Sequence, residues 1–199
     1  MKTAVLITSI ALALAAFASV PAVAQQHDPA ATIAAQKKAL DPLAKLDGEW
    51  RGPASMTLPD GTVQAFTQTE RIGPLLDGSV HLIEGRSYDE AGNTVFNALA
   101  ILSYDPATQA YTMHSHARGM VGDFAFTPTE NGYRWEIPTG PATIRYTAVI
   151  DGDSFVETGE RLVAGQPPMQ FFKMDLTRIG DSDWPAGGAV DPEYAQENG

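Results

Sequence analysis

The chain has no cysteine. That excludes disulfide staples, thiolate ligation of zinc or haem, a cysteine nucleophile and a lipid-modified cysteine anchor. Any fold must be held by its core alone. Positive charge is scarce too: 13 Lys and Arg face 24 Asp and Glu, a formal net charge of −11. Such a surface repels phosphate backbones and anionic lipid, so nucleic acid is not an expected partner. No histidine follows His116. Two catalytic signatures are missing as well. There is no G-x-S-x-G elbow, and Gly119 to Gly122 lacks the lysine and following helix of a phosphate loop.

What is present begins with an address. Met1-Lys2, the apolar run Ala4 to Val20 and the small-x-small triplet Ala22-Val23-Ala24 have the form of a secretory signal peptide. Pro21 and the absence of a cationic flank argue against a membrane anchor. Residues 1–24 are therefore expected to be removed by cleavage near Ala24. That leaves a periplasmic or secreted protein with no membrane insertion. Residues 25–47 form a helical lead-in. Asp28-Pro29 supplies an N-cap and first-turn proline for a helix over Ala30 to Leu40; Asp41-Pro42 interrupts it, and Leu43 to Leu46 makes one more turn. Residues 181–199 are acidic, rich in Gly and Pro, and read as a flexible tail.

From Gly48 the texture changes to alternating apolar and polar residues with frequent turn signals. The alternation predicts strands over Trp50–Leu58, Val63–Ile72, Val80–Tyr88, Val95–Tyr104, Tyr111–Arg118, Phe124–Thr127, Tyr133–Ile137, Thr143–Ile150, Phe155–Leu162 and Gln170–Ile179. Asn131-Gly132 is the strongest hairpin signal. No helix intervenes, so consecutive strands should pair antiparallel. A meander of about ten strands gains by closing, because closure removes both edges. The prediction is an all-β barrel over residues 48–180, wide enough to leave a cavity.

Gly48-Glu49-Trp50-Arg51-Gly52 resembles the G-x-W start of the lipocalin-like (calycin) barrels. The resemblance implies that Trp50 closes the barrel floor and that Arg178, on the last strand, packs on its ring. A closer resemblance is to an exported bacterial family of unknown function with a lipocalin-like fold. The residues that carry it are Leu46-x-Gly48-x-Trp50, Tyr104-Asp105-Pro106-Ala107-Thr108 before an aromatic strand, and a final Thr177-Arg178. That family supplies a fold and no activity. Gly48-x-Trp50-x-Gly52 also resembles nitrobindin-like haem barrels. Those take their iron ligand from a histidine near the chain end, which this chain lacks, so no haem is expected.

Three groups of residues could carry function. His114 and His116 share one face of a predicted strand, with Cα atoms about 7 Å apart, and His81 lies two strands away. They are the metal candidates; histidines that face solvent or line a polar pocket without metal are the favoured reading. Glu84, Arg86, Glu157, Glu160 and Arg161 are charges within strands, which usually mark the solvated face. The late strands are rich in aromatics. There Trp135, Tyr146 and Phe172, with Met113 and Met174, are the expected lining of a ligand pocket. The leading expectation is an exported barrel, monomeric or homodimeric, that binds a small apolar or amphipathic molecule without cofactor. The alternatives are an enzyme with a His-lined cavity, metal-assisted or acid–base, and a non-catalytic envelope scaffold.

Overall fold

A computed structural model describes residues 28–182. The expected signal peptide and most of the expected tail lie outside that range. The chain opens with α1, Pro29–Leu40, whose first backbone N–H groups are capped by the Asp28 carboxylate. A 3-10 segment, Asp41–Leu46, follows, longer than the single turn expected from the sequence.

Ten strands then form a closed barrel in which each pairs antiparallel with its chain neighbours and β1 also pairs with β10. They are β1 (Gly48–Thr57), β2 (Val63–Leu75), β3 (Val80–Tyr88), β4 (Thr94–Asp105), β5 (Ala110–Ala117), β6 (Met120–Thr129), β7 (Gly132–Thr139), β8 (Ala142–Asp151), β9 (Ser154–Val163) and β10 (Met169–Gly180). Every strand expected from the alternation is present. The largest boundary difference is β6, which starts four residues before Phe124. The cause is a two-residue turn at Arg118-Gly119, both with positive φ, which keeps β5 and β6 paired down to Ala117 and Met120. A non-glycine residue at positive φ is the weaker half of that turn signal. The β6–β7 turn lies at Glu130-Asn131, one residue before the position expected. Gly132 is within the strand, where an added Cβ would meet the Ala148 carbonyl oxygen at 2.1 Å.

One end of the barrel is sealed. Leu40, Leu43 and Leu46, at most 1% exposed, enter the core with Trp50, Ile72, Leu102, Phe155 and Leu176. Burying a leucine of this kind is worth about 2 kcal/mol, and three of them fasten the lead-in over the strand ends. Polar contacts fix its register. Tyr111 donates its hydroxyl to the Ala39 carbonyl at 2.8 Å, and Gln36 donates to the Tyr104 carbonyl.

Candidate functional site

Trp50 belongs to the sealed end. It is 1% exposed, its indole N–H donates to the Leu46 carbonyl at 2.8 Å, and its ring meets Phe155 edge-on at 5.5 Å. Arg178 is its register partner on β10. The guanidinium of Arg178 lies against Gly48 and donates to the Asp47 carbonyl and the Asp181 carboxylate. The pair thus ties both chain ends of the barrel at one place: Arg178 bonds to the Asp47 backbone and the Asp181 carboxylate, and Phe155 supplies a ring contact to Trp50. His81 faces the same end, 4% exposed. Its Nε2 is 3.0 Å from Asp47 Oδ1, but neither ring nitrogen makes an aligned hydrogen bond.

The other end is different. Its large inward aromatic side chains are only half-buried, although small residues such as Ser87 and Ala142 are buried there. Phe124 (β6), Trp135 (β7), Tyr146 (β8), Phe172 (β10) and Phe66 (β2) form a continuous arc of ring contacts. Centroid separations run from 4.5 Å for the parallel Trp135–Tyr146 stack to 6.4 Å for Phe66–Phe172. On β9, which lies between Tyr146 and Phe172, the inward position is Gly159. A Cβ there would fall 2.8 Å from the Tyr146 ring and 2.9 Å from Phe172, so the glycine lets the two rings lie across β9. The barrel is thus sealed below by the lead-in and Trp50 and carries the half-buried aromatic arc above, an arrangement we term a cup.

Between the sealed end and the arc lie two inward glutamates. Glu70 pairs in register with Trp50 on one side and Gly85 on the other. A Cβ on Gly85 would sit 2.8 Å from Glu70 Oε1, so its carboxyl occupies the space that glycine leaves. Gln68 donates to Glu70 at 2.7 Å, and Ser87 donates to Gln68. Glu157, 7% exposed, lies beside the polar ends of Tyr133 and Trp135, whose hydroxyl and indole N–H favour its charged form. Burial is the main cause that pushes Glu70 up to about 8, against the Gln68 hydrogen bond and helped by the nearby Glu157 and Glu84 charges. Burial likewise pushes Glu157 up to about 7, opposed by Tyr133 and Trp135. It raises Tyr146 to about 12 and lifts Tyr133 well above the usual phenol range, with Glu157 adding to both. Near neutral pH the pair is therefore poised to hold or release protons inside an apolar cup.

The residues singled out from sequence divide by face. Trp135, Tyr146 and Phe172 are brought together in the arc, whereas Met113 and Met174 lie deeper, 6% and 2% exposed, in the packed core. His114 and His116 face outward, because His114 is opposite Ile101 while the inward Met113 is opposite Leu102. His114 contacts Asp123 at 2.5 Å, and its ring lies 5.1 Å from that of His116. His81, on the inner face, is not brought near them. Among the described residues no three His, Asp or Glu groups cluster as metal ligands. Glu84 and Arg86 are also on the outer wall. Burial works against ionisation of Glu84, but Arg86 and Arg71 outweigh it and hold its carboxyl below the usual range. Two depressions of about 300 and 460 Å³ lie over this wall among charged side chains such as Arg71, Glu84, Arg51 and Asp89.

Glu157 is one of the strand charges whose type usually marks a solvated face, yet it and Glu70 both point inward. A signal for both was available: each is in phase with the apolar face of its strand, Glu70 with Phe66 and Ile72, Glu157 with Phe155 and Gly159.

No protein-family model matches the chain, and no curated protein does. Among solved structures, the crystal structure of Rv2717c from M. tuberculosis matches at 15% identity and a TM-score of 0.53, over 71% of this chain and 97% of that one. The S-type phycobiliprotein lyase CpeS from Guillardia theta matches at 9% identity and a TM-score of 0.48, over 71% and 93%. The first likeness is one of fold alone, and it accords with the closed ten-stranded antiparallel barrel.

Proposed function

We propose that the protein is an exported lipocalin-like barrel that binds a small apolar or amphipathic molecule in the open half of its cup. The observation that carries this is the contrast between the two ends. The lead-in and Trp50 seal one end to near-zero exposure, while the aromatic arc at the other end stays half-buried. A barrel that only needed a core would fill both ends alike. An apolar lining with a few polar groups beneath it is the ordinary make-up of a small-molecule site.

Export rests on the form of residues 1–24, and the periplasm or the medium is the proposed location. Membership of the exported lipocalin-like family of unknown function rests on Leu46-x-Gly48-x-Trp50, the Tyr104 to Thr108 turn and Thr177-Arg178. An intact mass of the exported protein, expected to begin at Gln25, tests the first point.

Binding is tested by native mass spectrometry of freshly isolated protein and by solvent extraction of what it carries. A co-purifying apolar or amphipathic compound is expected, lost on Trp135→Ala. A protein that carries nothing, and whose tryptophan fluorescence no amphiphile changes, would refute the reading.

A further inference from the structure

We infer that the ligand of the cup carries a cationic head, an ammonium or a comparable organic cation, seated against the Glu70–Glu157 pair and faced by the rings of Trp135 and Tyr146. The inference rests on the small-molecule reading above and narrows it to a chemical class.

The first ground is a contrast between the two faces of the wall. Several strand acids on the outer face have a basic partner. Glu84 contacts Arg71 and Arg86, Glu136 contacts Arg145 at 2.7 Å, Asp123 contacts His114, and Asp175 contacts Lys173. The two inner acids have only neutral partners, Gln68 for Glu70 and Tyr133 and Trp135 for Glu157. Among the described residues no basic side chain contacts either one. Buried carboxyls are costly unless paired, and here a positive guest would supply the missing partner.

The second ground is the wall itself. Trp135 and Tyr146 stack 10° from parallel beside Glu157, with Phe124 and Phe172 against them. Aromatic faces attract a cation, most strongly where water is excluded. They also accept an alkyl tail. An anionic head of the fatty-acid kind would gain nothing from the protonated acids and would meet like charge wherever one of them is ionised. The ionisable groups that bear on the pair are few. Tyr133 and Tyr146 face Glu157, Glu84 acts through the wall on Glu70, and Arg118, exposed at the β5–β6 turn over Phe96, acts on Tyr146. A fixed positive charge arriving beside the pair should displace a proton from it to solvent.

The test compares three probes of one chain length on the whole protein: decyltrimethylammonium, decanol and decanoate, each below its micelle concentration. Titration calorimetry at pH 7 in two buffers of different ionisation enthalpy counts the protons. The ammonium should bind at least about tenfold tighter than decanol, a gap of about 1.4 kcal/mol, with proton release, and decanoate should bind most weakly. In Glu70→Gln/Glu157→Gln the preference and the proton release should vanish while decanol binding persists. If that variant does not fold, Glu157→Gln alone and the proton count of the native protein decide. Equal binding of all three probes, unchanged by the substitutions, overturns the cation and leaves the cup standing. No binding of any probe overturns the small-molecule reading, and this inference with it.

Discussion

The two inner glutamates should make the protein most stable on the acid side of neutrality. Unfolded, each carboxyl titrates near 4.5; folded, Glu70 holds its proton to about 8 and Glu157 to about 7. Between those limits the folded state binds more protons than the unfolded one, so stability must fall as pH rises. The contribution is fully present below about 4.5 and lost by about 8. One pKa unit corresponds to about 1.4 kcal/mol, which sets a ceiling of about 5 kcal/mol for Glu70. The part of Glu70 that faces the open lumen lowers its share, and the two acids titrate as a coupled pair. A combined loss of about 4 kcal/mol between pH 5 and pH 8 is the expected size. At about 2–4 °C per kcal/mol for a chain of this length, the melting midpoint should drop by roughly 10 °C. Differential scanning calorimetry at unit steps from pH 5 to 8 measures it. Because net charge also grows with pH, the decisive comparison is Glu70→Gln/Glu157→Gln, whose midpoint should stay nearly flat. A native curve that is flat or rising, or a variant that falls as steeply as the native protein, would refute the argument.

Other substitutions probe the remaining parts of the frame. Trp50→Ala removes a buried indole and its Leu46 hydrogen bond, and should cost about 3–5 kcal/mol in denaturant unfolding without a direct effect on ligand affinity. Arg178→Ala loses bonds to the Asp47 carbonyl from a partly exposed site and should cost about 1–2 kcal/mol, clearly less than Trp50→Ala. Gly85→Ala puts a methyl group where the Glu70 carboxyl sits and should destabilise by about 1–3 kcal/mol, a loss that Glu70→Ala partly restores in the double variant. His114→Ala/His116→Ala changes the outer face alone, so probe affinity in the cup should stay the same by fluorescence titration.

Much of the barrel could be read from the chain because strand pattern and turn chemistry agree along it. Turns such as Asp151-Gly152 punctuate a period-two alternation that a helix would not produce, and closure follows from edge physics. The parity of β5 placed Tyr111 and Met113 on the more apolar face and the two histidines opposite. Depth within the barrel was not legible in the same way. Met113 and Trp135 are both inward by parity, yet one is core and the other lines the opening; the difference depends on strand stagger and on the lead-in covering one end. Glu70 needed still more. Its place depends on the empty side of Gly85, a cross-strand neighbour fifteen positions away, and local pattern carries no trace of that pairing. The β6–β7 turn shifted for a comparable reason, the close approach of the Ala148 backbone to Gly132.

On the proposed small-molecule reading, the stopper formed by α1, the Asp41–Leu46 segment and Trp50 would set the direction of traffic. With one end shut, a guest cannot pass through; it leaves by the way it came. A molecule whose head rests beside Glu157 goes in head first and comes out tail first. Any receiver would meet the hydrocarbon end before the charged one. Tails longer than the distance from the acids to the rim would protrude past Phe66 and Phe172 into solvent.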